Sequence, residues 1–227
     1  MITIKELTVG YRKGVNVINS LNLTINDNTI NGVVGLNGAG KTTLFNAVFG
    51  LIKKSSGDIL LDGQVLTKKE IAYLPTENYF YSFITGREYL SLFDNSDIDE
   101  WNKLFKLPLD TIIDDYSTGM KKKLALLGVI RQNKPIMILD EPFNGLDMES
   151  SQILRLILQR LKETGKTLIL SSHILDSLTN VCDCIHYLES GIVKHSRDRA
   201  QFKELETELF SIVADENMDA IKKLINS

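Results

Sequence analysis

The sequence predicts an α/β fold with a mostly parallel sheet, an antiparallel β edge at its N-terminal end and an inserted helical block. Three observations carry this. Residues 1–34 read as short strands with no helical period; "PIMILDEP" and "KTLILSSH" are continuous apolar runs bracketing an amphipathic stretch; and residues from about 77 to 133 turn helical and more polar. Continuous apolar runs bounded by polar residues are how strands buried on both faces read, and strand–helix–strand order implies parallel pairing.

Taken in order, "MITIKELTVGY" alternates like a strand, and turns follow at "GYRKG" and "NDN". "TINGVV" (29–34) is a β-leaning run ending at Gly35, and "TTLFNAVF" (42–49) places Leu44, Ala47 and Val48 at helical spacing. "SGDILLDGQ" (56–64) reads as a strand, and "IAYLP" (71–75) as another stopped by Pro75. "TGREYLSLF" and "GMKKKLALLGVIRQ" supply the helical block. "LDMESSQILRLILQRLKETG" is an amphipathic helix closed by Gly165. The tail beyond about 185 returns to a strand, a Gly191 turn, a small strand and a last helix, with "ENMDAIKKL" amphipathic. The expected division is one domain: core and β layers over 1–76 and 134–227, with the helical subdomain over about 77–133.

Bulk properties narrow the function classes. A net charge of -3 with both signs interspersed implies no polyanion-binding surface, so no nucleic-acid partner is expected. The start of the chain has no apolar secretory segment, and the longest apolar run, "LALLGVI" (124–130), is far short of the roughly 18 residues a bilayer span needs. The expectation is a protein that stays inside the cell and borrows any membrane role from a partner. Cys182 and Cys184, with only three histidines in the chain, are too few ligands for a structural zinc site. They read as small residues at a helix-to-strand junction.

The chemistry concentrates in "GLNGAGKTT". Three glycines in six residues suit a tight turn without any ligand. The stretch also fits G-x-x-x-x-G-K-[ST] at every fixed position, through Gly35, Gly40, Lys41 and Thr42, with a buried strand leading in and a helix leading out. That context makes the core a P-loop NTPase. Backbone amides across Asn37, Gly38, Ala39, Gly40, Lys41, Thr42 and Thr43 would converge on phosphate oxygens at the positive end of the helix dipole. Lys41 adds a mobile charge for the β- and γ-phosphates, and the Thr42 hydroxyl suits Mg²⁺. In an open parallel sheet ligands bind at the carboxyl ends of strands, where Asp140-Glu141 and His173 also fall. Two carboxylates there would suit a solvated strand end if they stood alone. Beside a phosphate loop, Asp140 serves the Mg²⁺ and Glu141 orients or deprotonates the attacking water, while His173 donates to a γ-phosphate oxygen.

The ordered set "GLNGAGKTT", "YSTGMKKKLALLG", "IMILDEPFNGLD" and "SSH" resembles the nucleotide-binding subunit of ATP-binding cassette (ABC) transporters over residues 1 to about 215. The resemblance implies that Tyr11 stacks on adenine, that Asn144 to Asp147 form a loop crossing to a second subunit, and that Ser117 to Met120 stand where the family's LSGGQ signature meets the opposite subunit's γ-phosphate. From the residues alone, Ser117 and Gly119 suit an ordinary helix N-terminus, and Lys121 to Lys123 a solvated helix face; the resemblance adds the functional reading.

Two departures stand out. Thr76 replaces the family's usual metal-touching glutamine, and Thr118 and Met120 alter the signature; both point toward slower hydrolysis. The implied protein is an ATP-hydrolysing subunit using ATP and Mg²⁺. It works as a homodimer or with a related cassette, in the cytoplasm on the inner face of the membrane, against a permease carried on a separate chain. A soluble non-transport cassette, or a nucleotide-binding regulatory module with weak turnover, stands as the alternative.

Overall fold

The computed structural model describes residues 1–12, 14–93 and 96–225; within the last helix the side chains at 212, 213, 215–217 and 219–223 are outside that description. The amphipathicity expected of "ENMDAIKKL" falls mostly on those side chains.

Two sheets form the frame. The first is antiparallel in the order β2-β1-β4-β5, from β1 (Ile2–Val9), β2 (Ile18–Ile25), β4 (Ser56–Leu61) and β5 (Gln64–Val65). The second has the order β10-β9-β3-β8-β7-β6, from β3 (Ile30–Val34), β6 (Ile71–Leu74), β7 (Ile136–Leu139), β8 (Thr167–Ser172), β9 (Cys184–Glu189) and β10 (Ile192–Asp198). All its pairs are parallel except the β9–β10 hairpin. The fold is the expected α/β one, mostly parallel with an antiparallel β layer.

Strand periodicity explains how the layers share this sheet. Along β7, Ile136 and Ile138 face one core while Met137 and Leu139 face the other, so both pleat faces are apolar. The first core lies between the two sheets and takes in α1 (Lys41–Phe49) through Leu44, Phe45 and Val48. The second packs the other face against α4 (Thr118–Arg131), α5 (Met148–Glu163), α6 (Leu175–Thr179) and the start of α7 (Phe202–Ile225). A third, smaller core joins α4 to α2 (Gly86–Ser91) and α3 (Ile98–Asn102).

Three expectations change. The run 56–64 is a hairpin, because Asp62 (φ 50°) and Gly63 (φ 82°) both take the left-handed conformation that turns β4 back into β5. Helix within 77–133 is confined to short pieces and α4; residues 75–84 form a loop that leaves Tyr79, Tyr81 and Phe83 exposed. Lys122 is buried rather than solvated, since α4 is enclosed between the second and third cores. The cysteines do lie at the junction from α6 to β9, Cys182 buried between them and Cys184 opening β9, and both thiols are free.

Candidate functional site

The glycine loop closes on itself before it meets anything else. Gly40, at φ 109°, forms the N-cap of α1, and no side chain caps that helix. The first-turn amides of α1 therefore have no intrahelical partner and face the loop, an arrangement suited to an anion. Gly35 packs too tightly for a side chain, because a Cβ there would lie 2.3 Å from the Leu188 carbonyl oxygen. Ala39 is buried, its amide donating to the Leu36 carbonyl (3.1 Å) and its carbonyl accepting from Gly191 (3.0 Å), so β9–β10 braces the loop.

Around this loop lies a cavity of about 610 Å³. Asn37, Gly38, Gly40, Lys41, Thr42 and Thr43 line one side, and Thr76, Glu141 and His173 the other. Val17 and Asn144 complete the wall. Tyr11 stands at its edge, 61% exposed, its hydroxyl 3.1 Å from that of Thr43.

Polar groups at the strand ends form one connected set. Lys41 Nζ donates to the carbonyls of Gly35 (2.7 Å) and Leu36 (3.3 Å) and lies 3.8 Å from Glu141 Oε1. Burial pulls the Lys41 ammonium below the usual lysine range, partly opposed by Glu141 and Asp140. His173 Nδ1 lies 3.1 Å from Glu141 Oε2. Asp140, fully buried, accepts on Oδ2 from the hydroxyls of both Thr42 and Thr76 at 2.7 Å, and on Oδ1 from Ser171.

Three hydroxyls around one carboxylate, two of them on the cavity wall, form a hard oxygen set that fits Mg²⁺ sharing its shell with phosphates and water. Among the described residues no group of three or more His, Cys, Asp or Glu forms a metal cage.

Ser117 and Gly119 are not brought to this cavity. Ser117 caps α4, its Oγ accepting from the Met120 amide at 3.2 Å, and a Cβ on Gly119 would lie 3.0 Å from the Gly145 carbonyl oxygen. The N-terminus of α4 and the Asn144–Asp147 loop thus sit side by side, tied by Lys123 to Asp147 at 2.6 Å.

Three contributors escaped the sequence reading. Val17 precedes β2, where nothing local marks it. Ser171 stood in the quoted "SSH" as a motif letter, yet it bonds both Asp140 and the Glu141 amide (2.8 Å). Lys122, 5% exposed, points its ammonium at the Asp140 carbonyl (3.5 Å), and burial draws its pKa down to about 8.

A family model described as ABC transporter matches residues 18–144. An uncharacterized ABC transporter ATP-binding protein of Bacillus subtilis (strain 168), YhcH, is 35% identical over 208 residues, covering 84% of this chain and 68% of the relative. The solved ATP-binding subunit of an ABC transporter superposes with a TM-score of 0.83 at 28% identity, over 92% of this chain and 99% of that one. A dimeric ATP-binding cassette in a post-hydrolysis state, bound to ADP and Pi, shares the fold with a TM-score of 0.79 at 21% identity, over 88% and 99% of the two chains.

Proposed function

The chain belongs to the ABC transporter family, whose cassettes hydrolyse ATP, and we propose that it is the ATP-hydrolysing subunit driving a permease on a separate chain through ATP-dependent dimerisation. The observation that carries this reading is the buried Glu141 carboxylate on the wall of the cavity, held between His173 (3.1 Å) and Lys41 (3.8 Å). A carboxylate so placed beside a phosphate-sized cradle is positioned to act on water.

The triphosphate lies along the amides from Asn37 to Thr43, and Lys41 exchanges its bonds to Gly35 and Leu36 for β- and γ-phosphate oxygens. Tyr11 covers the adenine. Thr42, Asp140 and Thr76 would hold Mg²⁺, which when bound would supply positive charge against the charge building on the phosphates. Glu141 orients water and accepts its proton as the oxygen bonds to the γ-phosphorus and the bond to the bridging oxygen breaks, releasing ADP. His173 steadies Glu141 through Nδ1 and, when both ring nitrogens carry protons, donates to a γ-phosphate oxygen.

The working unit is a dimer, of two copies or with a related cassette, in which Ser117 and Gly119 face the γ-phosphate of the opposite subunit. Among the described residues no helix is long and apolar enough to cross a membrane. The exposed rings of Tyr79, Tyr81 and Phe83, 72–84% accessible on one loop, support a docking surface for a membrane-embedded partner at the inner face of the membrane.

Glu141→Gln tests the reading. Phosphate release should fall at least about a hundredfold, and the variant should collect as an ATP-dependent dimer on size exclusion. Equal phosphate release by variant and wild type, each with its permease, overturns it.

A further inference from the structure

The backbone of Glu141 sits at φ 49°, a left-handed conformation that a non-glycine residue keeps only when its surroundings impose it. Both ends of the peptide leading into it are held. Its amide donates to Ser171 Oγ at 2.8 Å, and that serine donates to Asp140 Oδ1. Its carbonyl, on Asp140, is approached at 3.5 Å by Lys122 Nζ from α4. Ser171 belongs to β8, beside the β7 strand that Asp140 follows, whereas Lys122 belongs to a helix that also packs in the third core.

Lys122 is 5% exposed, and among the described residues its one hydrogen-bond contact is the long one to the Asp140 carbonyl, so even with the Asp140 and Glu141 charges nearby its burial is costly compared with an apolar side chain of the same length. Its position five residues past the α4 cap, Ser117, puts it on the segment whose first turn adjoins the Asn144–Asp147 loop.

We infer that Lys122 is a positioning residue for hydrolysis, a strut from α4 to the Asp140–Glu141 peptide that sets where the Glu141 carboxylate stands and transmits displacement of α4 to it. This rests on the proposed role of Glu141. Lys122 does not itself line the cavity and shares none of the bonds made by Lys41; its contact is with the Asp140 carbonyl, in the peptide that leads into Glu141, so its removal should act on turnover and leave nucleotide affinity nearly unchanged.

Lys122→Met keeps the length and removes the charge and the donor. The expected result is a kcat lowered tenfold or more, with an ATP dissociation constant by calorimetry within twofold of wild type. The melting temperature should stay within about 3 °C of wild type or rise above it. Should that variant not be recovered folded, Lys122→Gln, whose amide falls short of the Asp140 carbonyl, is read in the same way with the same expectation. A kcat lowered less than tenfold overturns the inference. So does a kcat loss accompanied by a larger fall in melting temperature, which makes the lysine structural, or by weaker ATP binding, which makes it a binding residue. Glu141→Gln, assayed alongside, separates the two readings: if it releases phosphate as fast as wild type, the role of Glu141 itself is what has failed.

Discussion

At the scale of single residues, His186 shows how burial is made tolerable. The ring is 2% exposed, with Nδ1 2.8 Å from Ser196 Oγ and Nε2 3.2 Å from Asn31 Oδ1, so one neutral tautomer satisfies both nitrogens and ties β3, β9 and β10 together. Burial pushes its pKa from 6.5 down to about 4, with Asp198 opposing weakly. The unfolded chain therefore takes up the proton first as pH falls. The stability from neutral His186 is fully present above pH 6.5, declines through the interval down to about 4, and is lost below it. The interval corresponds to roughly 3 kcal/mol as an order of magnitude. His186→Gln should be less stable than wild type at pH 7.5, and the gap in denaturant midpoint should narrow between pH 6.5 and 4. A gap that stays constant across that range would show that this ring does not carry the acid sensitivity assigned to it.

At the scale of elements, α5 shows where sequence pattern translates directly into packing. Leu154 and Leu158 lie four apart on one face and are fully buried, while Leu156, two residues from Leu158, is 72% exposed. Leu158→Ala should cost about 2–5 kcal/mol and Leu156→Ala no more than about 0.5 kcal/mol, measured by chemical denaturation; similar losses at both positions would mean the face is wrongly assigned. The same periodicity made α1, β3, β7 and β8 legible. It could not find the β4–β5 hairpin, whose signal is the Asp62-Gly63 pair and not hydrophobic spacing. Nor could it expose Lys122: α4 is buried along Leu124 to Arg131 without a break, so it has no polar face by which to judge "KKK". The strand-end cluster of Lys41, Asp140, Glu141 and His173 was foreseeable from where three separate runs end. Ser171 was not, because a serine's hydrogen bonds across parallel strands depend on register, and it is the pairing of Leu170 with Leu139 across β8 and β7 that sets Ser171 beside Asp140.

At the scale of the whole molecule, the cavity lies where the two sheets meet. Its walls come from the ends of β3, β6, β7 and β8 in one sheet and from Val17, just ahead of β2, in the other. Gly40 is seated so closely on that second wall that a Cβ would come within 2.9 Å of the Ile18 side chain. Nucleotide bound here would therefore brace both sheets at once and should raise the stability of the chain as a unit. By mass action, ATP at a hundred times its dissociation constant adds about 2.7 kcal/mol, or about 5–10 °C in melting temperature for a chain of this size. Glu141→Gln is the background for the measurement, since it prevents ATP from being consumed while leaving the loop and Lys41 in place. That variant should melt in one transition that moves upward with Mg²⁺ and ATP, and the same variant carrying Lys41→Ala should lose most of the shift. Retention of the full shift without Lys41 would place the nucleotide away from the loop. A transition that splits in two on adding ATP would mean that the ligand braces only one of the two sheets.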